Sequence, residues 1–254
     1  MNIYWMEQTE FDVPTDDEWL SPAEVIRQRE LRLAKRRADW RLGRWTAKRA
    51  VRFCLGTSEG LLDLAEIEIR AAPSGAPQVI VQDRLSEARI SLSHSSGRAV
   101  CAVALFAVAL GCDLEKVEPR SDIFVGDYFT PDEQELVARS PASTRSRLVT
   151  LLWSGKESAL KALDEGLRLD TRFVTVDARD RVSGLDAWNP LHVRRAEGNK
   201  FCGWWQCPDE FVRTVVSDPA SGPPIGIDHN AGTFCAPTLP ARRTRTPTPA
   251  RADW

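Results

Sequence analysis

An α/β fold is expected of this chain on three observations. Apolar residues recur at helical spacing through 21–53 and again through 144–163; several short runs alternate with period two or are continuously apolar; and turn signals separate these runs. At 254 residues, 43% hydrophobic and 28% charged, the composition suits one large or two small folded domains and excludes collagen-like, disordered and heptad-dominated chains. With 34 basic and 36 acidic residues the net charge is −2, so no whole-molecule field marks a nucleic-acid or membrane-surface binder. The longest apolar run, Ala99 to Leu110, is shorter than the roughly 18 residues a bilayer span needs. The N-terminus lacks a charged-then-apolar signal layout, and Cys54, Cys101, Cys112, Cys202, Cys207 and Cys235 form no CxxC or zinc-like spacing. A reducing cytoplasm is the expected location.

In chain order, Ser21 and Pro22 supply an N-cap and a first helical position. Val25, Leu31, Ala34, Ala38, Leu42, Trp45, Ala47 and Val51 then mark one or two helices with a densely basic face. Ile67 to Ile69 reads as a short strand, and the turn residues Pro73 to Pro77 lead into the apolar run Val79 to Val81. Ile90-Ser91-Leu92-Ser93-His94 alternates, breaks at Ser95-Ser96-Gly97 and resumes at Ala99, which predicts a hairpin; a further strand runs from Val108 to Glu115. Thr130-Pro131-Asp132-Glu133 combines a capping box with proline at the first helical position, so a helix should run to about Arg139. A longer helix spans about 144–163, and short strands are expected at 173–176, 191–193, 201–205 and 211–216. Residues 217–254 hold seven of the sixteen prolines, with arginines at 242, 243, 245 and 251 and little apolar periodicity, and are expected to be a flexible tail.

Four constellations could carry chemistry. Asp113 and Glu115, two apart on a strand, project from one face about 7 Å apart, which suits a hard cation such as Mg²⁺ or merely a solvated strand end. Glu157 and Lys161 lie four apart on a helix, either as a surface ion pair or with the carboxylate turned toward a phosphate–metal site. His94 ends a strand at a Ser/Gly turn, where loops present functional groups. Arg41, Arg44, Lys48 and Arg49 could clamp phosphate, guanidinium groups by paired hydrogen bonds and lysine as a point charge, or could simply face water. No Walker loop, Rossmann glycine fingerprint, GxSxG elbow or HExxH helix is present.

Taken in order, Gly75-Ala76-Pro77, Ser93-His94-Ser95, Gly111-Cys112-Asp113-Leu114-Glu115-Lys116 and Trp153-Ser154-Gly155-Lys156-Glu157-Ser158-Ala159-Leu160-Lys161 resemble the motif set of the 4′-phosphopantetheinyl transferases. The likeness is to the larger form, whose single chain holds two similar α/β halves. The 44 residues from Asp113 to Glu157 fit the family's interval, and the resemblance covers about 20–216. It implies a pseudo-twofold arrangement with the active site between an N-terminal half, 1–108, and a C-terminal half, 109–216, followed by the tail 217–254. It also implies transfer of the phosphopantetheine arm from coenzyme A to a serine of an apo acyl or peptidyl carrier protein, releasing adenosine 3′,5′-bisphosphate, by a monomer. Mg²⁺ held by Asp113, Glu115 and Glu157 would stabilise the leaving phosphate. Glu157, directly or through a metal-bound water, would deprotonate the serine. Lys161 would hold the pyrophosphate; His94, beside Ser93, would donate to a coenzyme A phosphate; Arg44, with Arg41 and Lys48, would meet the 3′-phosphate; and the turn Gly75, Ala76 and Pro77 would lie against adenine. Two departures stand out: Ala76 replaces a lysine common in relatives, and the second acid, here Glu115, varies in the family.

Two other readings compete. A nucleic-acid-binding module would use the basic helix and the arginine-bearing tail, but leaves both acid motifs unexplained. Another metal-dependent nucleotide phosphotransferase or phosphodiesterase would keep the three acids and need an activated water as nucleophile.

Overall fold

The computed structural model describes residues 1–56, 62–165, 168–177, 184–195, 198 and 200–227. The first layer begins with β1 (Tyr4–Thr9), α1 (Pro22–Glu30) and α2 (Ala34–Leu55) and continues through β2 (Ile67–Ala71), β3 (Pro77–Val81), β4 (Arg84–Ser95) and β5 (Arg98–Ala104). A second series follows: β6 (Ala109–Lys116), α3 (Asp122–Tyr128), α4 (Pro131–Ala138), α5 (Ala142–Ala162), β7 (Val174–Asp177), β8 (Asn189–Arg195), β9 (Lys200–Gln206) and β10 (Phe211–Asp218), then the short β11 (Ile225–Gly226). The strands form two sheets, ordered β11-β1-β5-β4-β3-β2 and β6-β10-β9-β8-β7. The expected α/β class is therefore observed, and with β11 set aside the two sheets share one connectivity: the first strand pairs with the last, which pairs with the one before it.

The expected hairpin is present, His94 pairing with Ala99 across the Ser96-Gly97 turn, where both residues have positive φ. A second tight turn at Gln82 and Asp83, with φ of +49° and +62°, joins β3 to β4. Strands β1 and β11 and helix α3 were not anticipated. The expected tail is described only as far as residue 227: Ser217 and Asp218 end β10, and Ile225–Gly226 pairs in parallel with Tyr4 and Trp5. The rest, 228–254, lies outside the described residues.

Period-two alternation builds three cores. On β5, Cys101 and Val103 face α2, packing with Ala47, Val51 and Ile67. The alternate residues Val100, Ala102 and Ala104 meet Leu110, Cys112 and Leu114 of β6 and Phe211 and Val215 of β10, so the two sheets pack against each other through these strands. In the third core α5 lies on the second sheet through Leu152, Ala159, Val176, Leu191 and Val212. With Leu110, Cys112 and Leu114 committed to the inter-sheet core, Gly111, Asp113 and Glu115 are left on the opposite face of β6, toward α5. No helix among the described residues is long and apolar enough to cross a membrane.

Candidate active site between the sheets

The site begins with a close approach. A Cβ at Gly111 would lie 1.7 Å from the Ser158 carbonyl oxygen of α5 and 2.8 Å from the Ala162 nitrogen, so only glycine lets helix and strand meet here. One turn on, Lys161 Nζ donates to Cys112 O at 3.2 Å and to Asp113 Oδ1 at 2.7 Å. Asp113 Oδ1 also accepts from Ser93 Oγ of β4 at 2.7 Å, while its Oδ2 is buried without a partner. Burial disfavours the Lys161 charge, but Asp113 and Cys112 outweigh it and hold the ammonium pKa above its ordinary value.

Glu157 is half-buried beside Asp113, and its Oε1 too is buried without a partner. Burial first, then the Asp113 charge, raises its pKa, with Lys161 opposing. Glu115 is pushed up to about 7 by burial and by Asp113, against the pull of Arg120 and Trp153. Its Oε1 accepts from Trp153 Nε1 at 3.1 Å and its Oε2 from Arg120 Nη2 at 3.2 Å. Two buried carboxylate oxygens without donors, among three acids that raise one another's proton affinity, are what a missing divalent cation leaves behind, so Asp113 and Glu157 fit Mg²⁺. The three expected ligands do not make a ready cage: Glu115 has both oxygens engaged, and among the described residues no group of three His, Cys, Asp or Glu side chains is arranged around one metal position.

Lys161 also lines a cleft of about 420 Å³ with Arg44, Gly75, Ala76, Pro77 and Ser91, over an apolar floor that includes Ile90 and Leu110. Gly75, at φ +89°, closes the turn, its N–H donating to Ala72 O at 2.8 Å. From the other sheet's side, Arg168 Nη2 donates to Ser74 O at 3.0 Å. Arg44 stacks its guanidinium on Trp40 at 5.0 Å and lies 3.8 Å from Glu24 Oε1, and burial pushes its pKa down. Thus Arg44, the Gly75–Pro77 turn and Lys161 share one cleft, with Asp113 and Ser93 reached through Lys161. His94 follows on β4 and is exposed.

Arg41 and Lys48 are not brought to this cleft. Arg41 pairs with Asp17 and donates to Pro14 O at 2.6 Å and Asp16 O at 2.8 Å. Lys48 is fully buried, paired with Glu24 and donating to Trp19 O at 2.8 Å. The reason is helix register: of the basic residues expected to clamp phosphate, only Arg44 is turned to the cleft. The sequence reading also missed Ser91, Arg120 and the two carboxylates Glu24 and Glu133. A signal for the latter was present. Ser21-Pro22-Ala23-Glu24 and Thr130-Pro131-Asp132-Glu133 precede Trp45-Thr46-Ala47-Lys48 and Trp153-Ser154-Gly155-Lys156 by nearly equal intervals, an internal repeat.

Comparison with known proteins agrees with the motif order. A family model described as the 4′-phosphopantetheinyl transferase superfamily matches residues 109–203. The chain is 30% identical over 152 residues to the 4′-phosphopantetheinyl transferase HetI of Nostoc, covering 58% of this chain and 61% of that one. It is 31% identical over 158 residues to a 4′-phosphopantetheinyl transferase of Bacillus subtilis, covering 62% and 61%. It is also 31% identical over 86 residues to a holo-[acyl-carrier-protein] synthase of Streptococcus agalactiae, covering 34% of this chain and 72% of the relative. The chain therefore spans about three-fifths of the length of the first two relatives.

Proposed function

The chain belongs to the 4′-phosphopantetheinyl transferase superfamily, and we propose that it transfers the 4′-phosphopantetheine group of coenzyme A to a serine of an apo acyl or peptidyl carrier protein, releasing adenosine 3′,5′-bisphosphate. The observation that carries this reading is the continuity of the cleft: Arg44 and the Gly75–Pro77 turn at one side, and Lys161 bonded to Asp113 at the other.

In this reading the nucleotide end of coenzyme A lies against the 75–77 turn, with Arg44 meeting the 3′-phosphate. Two of the three Lys161 N–H donors go to Cys112 O and Asp113, which leaves one for a pyrophosphate oxygen. His94, next to the Asp113-bound Ser93, donates to a coenzyme A phosphate. The carrier serine Oγ attacks the phosphorus bearing the pantetheine arm, its proton passing to Glu157, while the bond from that phosphorus to the bridging oxygen breaks and the bisphosphate leaves. Burial suits Glu157 to the task, because a carboxylate whose proton affinity is raised is a better base near neutral pH. Mg²⁺, held by Asp113 and Glu157 with Glu115 beside them, would supply charge neutralisation at the pyrophosphate. The protein acts as a monomer, since both walls of the cleft come from one chain.

Intact mass of apo carrier proteins after incubation with the enzyme, coenzyme A and Mg²⁺ tests this directly. A gain of one phosphopantetheine arm, lost in Glu157→Ala and with EDTA, is expected. No gain across fatty-acid, polyketide and nonribosomal-peptide carriers, with the enzyme folded and binding coenzyme A, would overturn the transfer and favour a nucleotide phosphotransferase.

A further inference from the structure

The molecule carries one buried clasp twice. In the first copy Glu24, at the third position of α1, receives the Ser21 N–H at 3.0 Å, the Ile69 N–H of β2 at 3.0 Å and the buried Lys48 ammonium of α2. In the second, Glu133 of α4 receives the Thr130 N–H at 2.8 Å, the Val176 N–H of β7 at 2.7 Å and the Lys156 ammonium of α5 at 2.8 Å. Each carboxylate thus ties a capping turn, the long helix and the last strand of its sheet together with charge-assisted hydrogen bonds, which are short and directional. Glu24 and Glu133 are 3% and 1% exposed, so water does not compete for these bonds.

The two clasps hold different sides of the cleft. Glu24 lies 3.8 Å from Arg44 Nε and fixes β2, whose end at Ala71 enters the turn that lines the cleft. Glu133 holds Lys156, whose ammonium also donates to Thr171 O at 3.0 Å, and the next residue of that helix is Glu157. We propose that Glu24 and Glu133 are matched positioning residues: Glu24 sets Arg44 and the 75–77 turn for the nucleotide, and Glu133 sets the register of α5 and so Glu157 and Lys161 for the reaction. This rests on the transferase reading above. It divides binding from chemistry between two residues that touch neither substrate.

The test measures steady-state kinetics with coenzyme A and an apo carrier, and calorimetric binding of adenosine 3′,5′-bisphosphate, for wild type, Glu24→Gln and Glu133→Gln. Gln keeps the length and one acceptor but removes the charge that orders the clasp. Glu24→Gln should raise KM for coenzyme A and Kd for the bisphosphate about tenfold with kcat within about twofold, and Glu133→Gln should do the reverse, since small displacements at a site cost up to about a hundredfold. A purely structural role predicts no such division: kcat would fall in both with the folded fraction seen by circular dichroism, and KM and Kd would stay at wild-type values. That outcome overturns the inference. Wild type without turnover would instead remove the transferase reading, and this assignment with it. Should a single variant not fold, Glu24→Gln with Lys48→Met, and Glu133→Gln with Lys156→Met, leave no unpaired buried cation and carry the same readout.

Discussion

In α2 the run Trp45-Thr46-Ala47-Lys48 is followed by Arg49 and, one turn later, Phe53; in α5 the run Trp153-Ser154-Gly155-Lys156 is followed by Glu157 and Lys161. Both lysines are fully buried in the same kind of clasp, so the positions just beyond them stand in comparable places on comparable helices. In the first region these positions serve packing, Arg49 lying over Trp45 at 5.6 Å and Phe53 against Tyr4 at 6.5 Å. In the second they carry the carboxylate and ammonium beside Asp113. The edges differ too: β1 is flanked on its outer side by β11, whereas β6 is the terminal strand of its sheet. The far face of β6 is reached by side chains of β4, Ser91 Oγ accepting the Cys112 N–H at 2.9 Å and Ser93 bonding Asp113. One scaffold therefore tolerates two uses, and the chemistry sits where the edge strand is open and the helix can touch it.

The sharpest break in the comparison is catalytic. Glu157→Gln and Asp113→Asn should lower carrier modification by about 10²–10⁴-fold, the range for loss of an acid–base group, while Arg49→Gln at the matching position leaves the rate near wild type. Glu157→Gln should not lower the thermal midpoint at pH 7. A carboxyl whose folded pKa is raised opposes folding once pH exceeds its unfolded value, so removing its charge relieves the fold. A fall in midpoint would show that the carboxylate is structural.

The clasps themselves should be equivalent. Lys48→Met and Lys156→Met each strand a buried carboxylate, and each should cost about 3–5 kcal/mol in urea unfolding. A much smaller loss at Lys48 would mean that only the second clasp bears on stability and that the repeat is one of geometry alone.

Next come the glycines. Gly111→Ala should cost at least about 1–3 kcal/mol, because the new Cβ meets backbone rather than a yielding side chain. Gly155→Ala should cost less: its Cβ would lie 3.0 Å from the Val176 methyls, partly offset by about 1 kcal/mol of helix propensity. Ala47 occupies the matching place in α2, fully buried, so the first sheet accepts the methyl that the second crowds. Equal losses at Gly111 and Gly155 would contradict the close approach of α5 to β6.

Much of this was legible in the residues. Period two placed Asp113 and Glu115 on one face, the capping boxes began α1 and α4, and Ser95 to Gly97 announced the hairpin. What stayed hidden depends on contacts between distant segments. Lys48 and Arg41 sit on a basic helix and read as solvent-facing, since nothing local shows that Glu24 and the 14–16 carbonyls wait for them. Gly155 looked like a helix defect until Val176 and Leu191 were seen against it. β1 and β11 are short, and their pairing partners lie far away in sequence. The Asp113–Lys161 bond follows from Gly111, whose role as a contact point cannot be read from a single glycine.

The smallest expected effect concerns the joint between the two sheets. Arg213 of β10 donates to Glu7 of β1, Nε to Oε2 at 2.6 Å and Nη2 to Oε1 at 2.8 Å, and through Nη1 to Asp209 Oδ1 at 2.9 Å. Arg98 of β5 bridges Glu7 at 3.1 Å and Asp209 at 2.8 Å. Burial alone would raise the Asp209 pKa, but hydrogen bonds from Arg213 and the Phe211 N–H, with the charges of Arg213 and Arg98, hold it down at about 2, from 3.8. A depressed carboxylate stabilises the fold above its unfolded value and loses that contribution as pH falls through the folded one. Stability should therefore drop between about pH 4 and pH 2 in wild type, and Asp209→Asn should flatten that segment of the curve. Because Asp209 and Arg98 are about one-third exposed, solvent screens the pair, and 1 M salt should shrink the difference. If the slope over this window is the same in Asp209→Asn, the joint is held by the apolar contact of β5 with β6 and β10, and the ion network adds nothing to it.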